Sequence, residues 1–144
     1  MNNTNSGFSV ISSDSHGMIR RGFYITFANG YTVSVQFGSF AYCETRDNGR
    51  MKVEQHKEGE KEIHSKDAEI AAWDSDNNWV SFEDDEVMGY VNPNEVLAFM
   101  QTIAKICCGT PGNEVRITVS RGDDDLGYTT FNVFAFKANT DGGN

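Results

Sequence analysis

The sequence lacks the features that mark membrane, secreted or disulfide-stabilised proteins. No apolar run approaches the roughly 20 residues that a membrane-spanning helix needs. Residues 1–17 contain neither the basic start and apolar run nor the small-residue cleavage site of a secretory signal. The three cysteines are an odd number and two of them are adjacent, so we predict no disulfide framework. We therefore expect a soluble protein in a reducing cytoplasm, without a membrane partner.

Positive charge is also scarce in this chain. Twelve Lys and Arg oppose twenty-one Asp and Glu, which gives a net charge of −9, and the densest basic cluster is Arg20 with Arg21. Because binding through phosphate contacts needs a basic patch, we expect no direct binding to nucleic acid. The acidity either keeps a small protein soluble or lets it compete with DNA for a basic groove on another protein.

The acidic segment at 73–86 matches a calcium loop in part. Asp74, Asp76 and Asn78 stand at the first ligand positions. However, Trp79 occupies the position where the loop's sharp bend needs glycine, and Asp85 stands where a bidentate glutamate is needed. We therefore predict a polar turn, with no metal site and no cofactor.

Catalytic motifs are missing as well. The sequence contains no G-x-S-x-G, no glycine-rich phosphate loop and no C-x-x-C spacing. Cys43 with His56 or His64 is one candidate nucleophile and base, and the carboxylates at 83–86 and 123–125 are candidate acid–base pairs. Carboxylates on polar turns are normally solvated. We predict no catalytic residues, with a small hydrolase or nucleotide-degrading enzyme as the alternative.

Hydrophobic residues make up 38% of the 144-residue chain and aromatic residues 12%, which suits one domain with a real core. We predict a flexible or edge-strand segment at 1–17, a single domain at 18–138 and a disordered tail at 139–144. The expected class is α+β, with a mostly antiparallel sheet of six or seven strands built from hairpins. One amphipathic helix at about 93–107 is expected to pack on one face.

The first hairpin is the clearest, at RGFYITFANGYTVSVQFG. A three-residue loop at 28–30 with Gly30 in the left-handed position pairs apolar residues with each other. This register sets Ile25 opposite Val33 and Phe23 opposite Val35, whereas a two-residue loop would mix apolar and polar residues on one face. Tyr24, Ser34 and Gln36 must then point the other way.

Two further hairpins and the helix follow. Trp73 is expected opposite Trp79 and Ile70 opposite Phe82 in a hairpin closed between Asp74 and Asn78. Asn92 and Glu95 predict a capping box, and apolar residues at spacings of three and four follow them. The last hairpin is expected to turn at RGDDDLG, residues 121–127.

Aromatic and polar side chains without a clear place in the core form the predicted binding surface. Such a composition is typical of a recognition surface or of an interface between subunits. Some of these side chains are expected to be buried in the core instead. The set is Tyr24, Gln36, Phe40, Tyr42, Glu44, Arg46, Trp73 and Trp79.

The segments ITFANGYTVSVQFGSFAYCETR, AEIAAWDSDNNWVSF and GYVNPNEVLAFM resemble small uncharacterised proteins encoded by tailed bacteriophages. The likeness covers residues 22–46 and 67–104, and it carries over no functional residue. It implies an accessory protein in the cytoplasm of the host bacterium. We expect a non-enzymatic, homodimeric inhibitor of a bacterial defence system, anti-CRISPR-like or otherwise counter-defensive. It would bind a host protein or sequester a small signalling nucleotide; a virion or assembly component is a further alternative.

Overall fold

The computed structural model describes residues 6–15, 18–46, 64–82, 85–106, 115–123 and 129–137. The elements, in chain order, are β1 (Gly7–Ser15), β2 (Met18–Thr26), β3 (Thr32–Gln36), β4 (Ala68–Trp73), β5 (Met88–Val91), α1 (Pro93–Ala104), β6 (Val115–Asp123) and β7 (Thr129–Lys137). The strands β1 to β5 form an open antiparallel sheet in sequence order, and β6 and β7 form a separate pair. The fold is α+β, as predicted, but six or seven strands in one sheet are not confirmed. His56 and the tail at 139–144 lie outside the described residues.

The hairpin of β2 and β3 has the predicted register. Gly30 N donates to Phe27 O at 2.9 Å and Phe27 N donates to Tyr31 O at 2.8 Å, and Gly30 has φ +90°. Ile25 pairs with Val33, and Phe23 pairs with Val35 in the ladder that follows. Glycine adopts this left-handed conformation without steric cost, so the turn fixes which side chains of β3 face the core.

The core lies on one face of the sheet. Val33, Ile70 and Phe99 are fully buried and belong to one apolar cluster. Phe82 packs on Phe99 with ring centroids 5.4 Å apart, and α1 contacts β3, β4 and β7. Among the described residues no helix has the length and hydropathy to cross a bilayer.

One predicted pairing needs correction. Trp73 does pair with Trp79, but Ile70 pairs with Met88 rather than with Phe82. The reason is that Phe82 pairs with Asp85, where Phe82 N donates to Asp85 O at 2.6 Å, so that β5 becomes the partner of β4. The predicted pairing of the last two strands is confirmed, and residues 121–123 continue β6 in register with β7; residues 124–127 of the predicted turn lie outside the described residues.

Both ends of α1 are capped by side chains. Asn92 Oδ1 accepts from Glu95 N at 2.9 Å and Glu95 Oε1 accepts from Asn92 N at 3.0 Å, which is the predicted capping box. The helix ends at Ala104 rather than at the predicted residue 107. At this end Asn29 Nδ2 donates to Ile103 O at 2.8 Å and to Ile106 O at 2.9 Å. The first hairpin turn is therefore bonded to the helix C-terminus.

The role of Asn29 gives a test with a matched control. Asn29→Asp keeps the oxygen that accepts from Tyr31 N but removes the donors and sets a negative charge at the negative end of the helix dipole. We expect a loss of about 1–3 kcal/mol in the free energy of unfolding. The same change at the exposed first helical turn, Asn94→Asp, should be neutral or stabilising. Urea denaturation of both variants measures this, and an Asn29→Asp protein as stable as the parent would contradict the account.

Candidate functional site

A cleft of about 460 Å³ lies on the sheet face that is turned away from the core. Strands β2, β3 and β4 line it with residues that alternate with core residues, which is why the cleft carries polar and aromatic side chains. Four predicted binding residues line it, namely Tyr24, Gln36, Trp73 and Trp79, together with Arg20, Ser34, Glu69 and Asn77, among others.

The two tryptophans form one wall of this cleft. Trp73 and Trp79 are a cross-strand pair flanked by the backbone bonds Asp74 N to Asn78 O at 3.0 Å and Val80 N to Ala72 O at 2.8 Å. In such a non-hydrogen-bonded pair the side chains approach most closely, and the ring centroids lie 4.9 Å apart. Tyr24 meets Trp73 edge-on at 5.6 Å. Trp79 is still 43% exposed, so part of its ring is available for stacking.

Polar groups form the floor and the rim. Ser34 is only 2% exposed, and its Oγ accepts from Gln36 Nε2 at 3.2 Å. Arg20 is exposed, with its guanidinium carbon 5.7 Å from the centroid of the Phe40 ring. Glu69 Oε2 accepts from Tyr42 N at 3.0 Å. The cleft therefore offers an amide, a cation and a carboxylate beside an aromatic surface.

The other four predicted binding residues lie in the loop at 38–46, next to the cleft. Phe40 and Tyr42 are exposed there. Arg46 Nη1 donates to Phe40 O at 2.9 Å, and the Arg46 guanidinium carbon lies 4.1 Å from the centroid of the Tyr42 ring. Glu44 Oε2 accepts from Lys66 N at 2.7 Å. Glu44 and Arg46 thus hold the loop in place, and the two aromatic rings face outward from it.

The sequence did not single out all of the cleft. Arg20, Ser34, Glu69 and Asn77 line it without having been predicted as binding residues. Ser34 was correctly predicted to lie on the face opposite the core. Glu69 could have been predicted as a cleft residue only if its pairing with Gln36 in the ladder of β3 and β4 had been known. That register depends on two strands separated by a long connection, which alternation alone cannot align.

The candidate nucleophile Cys43 is part of the loop's interior. Its side chain is 1% exposed; Sγ donates to Gly38 O at 3.4 Å and lies 3.1 Å from Thr45 Oγ1. His64 is exposed, and His56 lies outside the described residues. Within the described ranges, no group of three or more His, Cys, Asp and Glu side chains is placed to hold a metal ion.

Comparison with known proteins does not assign a family. No family model matches the chain, and neither a curated protein nor a solved structure is significantly similar to it. The resemblance to phage proteins therefore stays a prediction.

The acidic turn beside the cleft is closed by its own side chains. Asp74 Oδ1 accepts from Asp76 N and from Asn78 N, both at 2.9 Å, and Asp74 Oδ2 accepts from Asn78 Nδ2 at 3.0 Å. Asn77 has φ 63°, a conformation that Asn tolerates better than most residues. These hydrogen bonds to Asp74 fix the conformation of the turn that connects Trp73 to Trp79.

This geometry predicts the response of the turn to calcium and to substitution. Because the Asp74 carboxylate already accepts three hydrogen bonds, we expect low-millimolar calcium to leave the melting temperature unchanged. Asp74→Ala should lower the free energy of unfolding by about 1–2 kcal/mol, while Asp76→Ala, at an exposed position of the same turn, should change it little. A calcium-dependent rise of several degrees, measured by thermal denaturation, would show that the turn is a metal loop after all.

Proposed function

We propose that the protein is a non-enzymatic accessory protein of the tailed-bacteriophage type. It acts in the cytoplasm of the host bacterium as a counter-defence inhibitor by sequestering a small signalling nucleotide in the cleft. The observation that carries this proposal is the placement of both tryptophans of the chain on one wall of a cleft with a polar floor. The resemblance noted in the sequence supplies the phage and counter-defence context.

The size and chemistry of the cleft support a nucleotide. Small-molecule sites usually measure roughly 300–1,000 Å³, and this cleft, at about 460 Å³, lies within that range. Stacking of a base on an aromatic side chain contributes about 1–3 kcal/mol, and Trp79 is exposed enough to provide it. The Gln36 amide, at the floor of the cleft, matches the hydrogen-bonding edge of a base.

Charge limits the size of the ligand. A net charge of −9 opposes a long polyanion, which needs many basic contacts. One nucleotide needs only a local cation, and Arg20 lies at the rim of the cleft. The same cation is held beside the Phe40 ring, so its position is constrained before a ligand arrives.

Tryptophan fluorescence tests this proposal directly, because both tryptophans line the cleft. We expect a panel of cyclic mono- and dinucleotides to include members that quench the emission with saturation. Trp79→Ala should weaken their binding by about tenfold or more in calorimetric titration, as expected from the loss of base stacking. The control Leu97→Ala removes another exposed side chain, on α1, and should bind as the parent does. The proposal fails if no nucleotide in the panel binds, or if Trp79→Ala binds equally well.

The loop at 38–46 favours a second candidate function, the binding of a host protein. Phe40 and Tyr42 are exposed on a loop fixed by hydrogen bonds such as Tyr90 N to Tyr42 O at 2.9 Å. Exposed aromatic side chains on a rigid support are typical anchors of protein interfaces.

Variants of the cleft and of the loop at 38–46 distinguish nucleotide binding from protein binding. The Tyr42→Ala protein should lose capture of a specific host protein from infected cells yet keep its fluorescence response to nucleotides, because the Tyr42 ring contacts Arg46 and does not line the cleft. Trp79→Ala should show the reverse pattern. Quantitative mass spectrometry of material co-purified with each variant measures the first effect, and equal capture by both variants would remove the protein-binding candidate.

A further inference from the structure

β1 is an open edge of the five-stranded sheet. It pairs with β2 along all nine of its residues, and no other strand pairs with it within the part of the chain that the structure describes. Natural edge strands are usually protected by short length, lysine, proline or a bulge. β1 has the sequence GFSVISSDS, which contains no lysine and no proline, and its pairing with β2 is regular. Its outer backbone groups are therefore suited to pair with another strand.

The apolar face of the sheet also continues onto this edge. Phe8 lies opposite Ile25 and Val10 lies opposite Phe23, so all four share the face that packs against the core. Phe8 and Val10 are nevertheless each 81% exposed. Two large apolar side chains two residues apart on an unprotected edge form a contiguous patch that water solvates poorly.

We propose that a second copy of this chain covers the edge, with the two β1 strands antiparallel about a two-fold axis at Ser9. This register sets Phe8 of each copy opposite Val10 of the other and keeps all four side chains on the same face, because alternation is preserved. In each of the two symmetry-related pairs, the larger Phe8 of one copy then packs against the smaller Val10 of the other. The interface is isologous, as in most homodimers.

Charge favours a second copy at this site over other parts of the surface. Two chains of net charge −9 repel each other wherever their acidic residues meet. Residues 7–13 carry no charge, and Asp14 is the single charged residue of β1. In the antiparallel register the two copies of Asp14 lie at opposite ends of the paired strands, so they do not oppose each other. The cleft is lined from β2 to β4 on the other face, and pairing of β1 leaves it open.

The oligomeric state of the full chain tests the proposed interface between two β1 strands. Sedimentation velocity across the micromolar range should give twice the mass of the chain. Val10→Lys should raise the dissociation constant of the dimer by about tenfold or more, because two symmetry-related apolar pairs are lost. Leu97→Lys, the same kind of change at an exposed leucine on α1, should leave the dimer intact. Far-UV circular dichroism checks that every variant keeps its sheet.

A double variant tests the register itself. Phe8→Glu/Val10→Lys sets opposite charges across the interface in both symmetry-related pairs, and it should restore dimerisation relative to Val10→Lys alone. A monomeric parent protein at all concentrations would overturn the proposal, and so would a Val10→Lys dimer as tight as the parent. Failure of the double variant to recover would exclude the axis at Ser9. Nucleotide titrations are independent of these outcomes, since the cleft lies elsewhere.

Discussion

The turn between β2 and β3 sets the orientation of every side chain on the central strand. Gly30 accepts the left-handed conformation, and the bonds at Phe27 close a three-residue loop. A slip of one residue would exchange the two faces of the strand. Val33 and Val35 would then leave the core, and Ser34 would enter it.

The same turn connects the sheet to the helix. Asn29 is held by the hairpin, and its amide donates to the carbonyls of Ile103, in the last turn of α1, and of Ile106, just beyond it. Two such bonds contribute about 1–3 kcal/mol together, a considerable share of the stability of a small domain. Fixing the core on one side leaves the opposite face of the sheet for the cleft, where side chains of β2, β3 and β4 converge. The site is thus a consequence of the register.

Local patterns were sufficient to predict much of the fold. The ANG turn, the Trp73 and Trp79 pair and the capping box of α1 depend on residues close in sequence, and all three were predicted correctly. The partner of Ile70 was not, because Phe82 pairs with Asp85 and Met88 takes the position opposite Ile70. Non-local alignment also hid Glu69 from the predicted site. The capping by Asn29 could not be read from the sequence, since its acceptors lie more than seventy residues away.

The most direct test of the central claim is nuclear magnetic resonance of the β2–β3 hairpin in the intact protein. Tyr24 and Ser34 form a non-hydrogen-bonded pair, as do Thr26 and Thr32, whose hydroxyl oxygens lie 2.8 Å apart. Their α-protons should therefore be close enough for strong cross-strand nuclear Overhauser effects. We expect both of these contacts to be observed. Contacts of Tyr24 with Val35 and of Ile25 with Ser34 would instead show a two-residue loop, and the division of the sheet into a core face and a cleft face would be wrong.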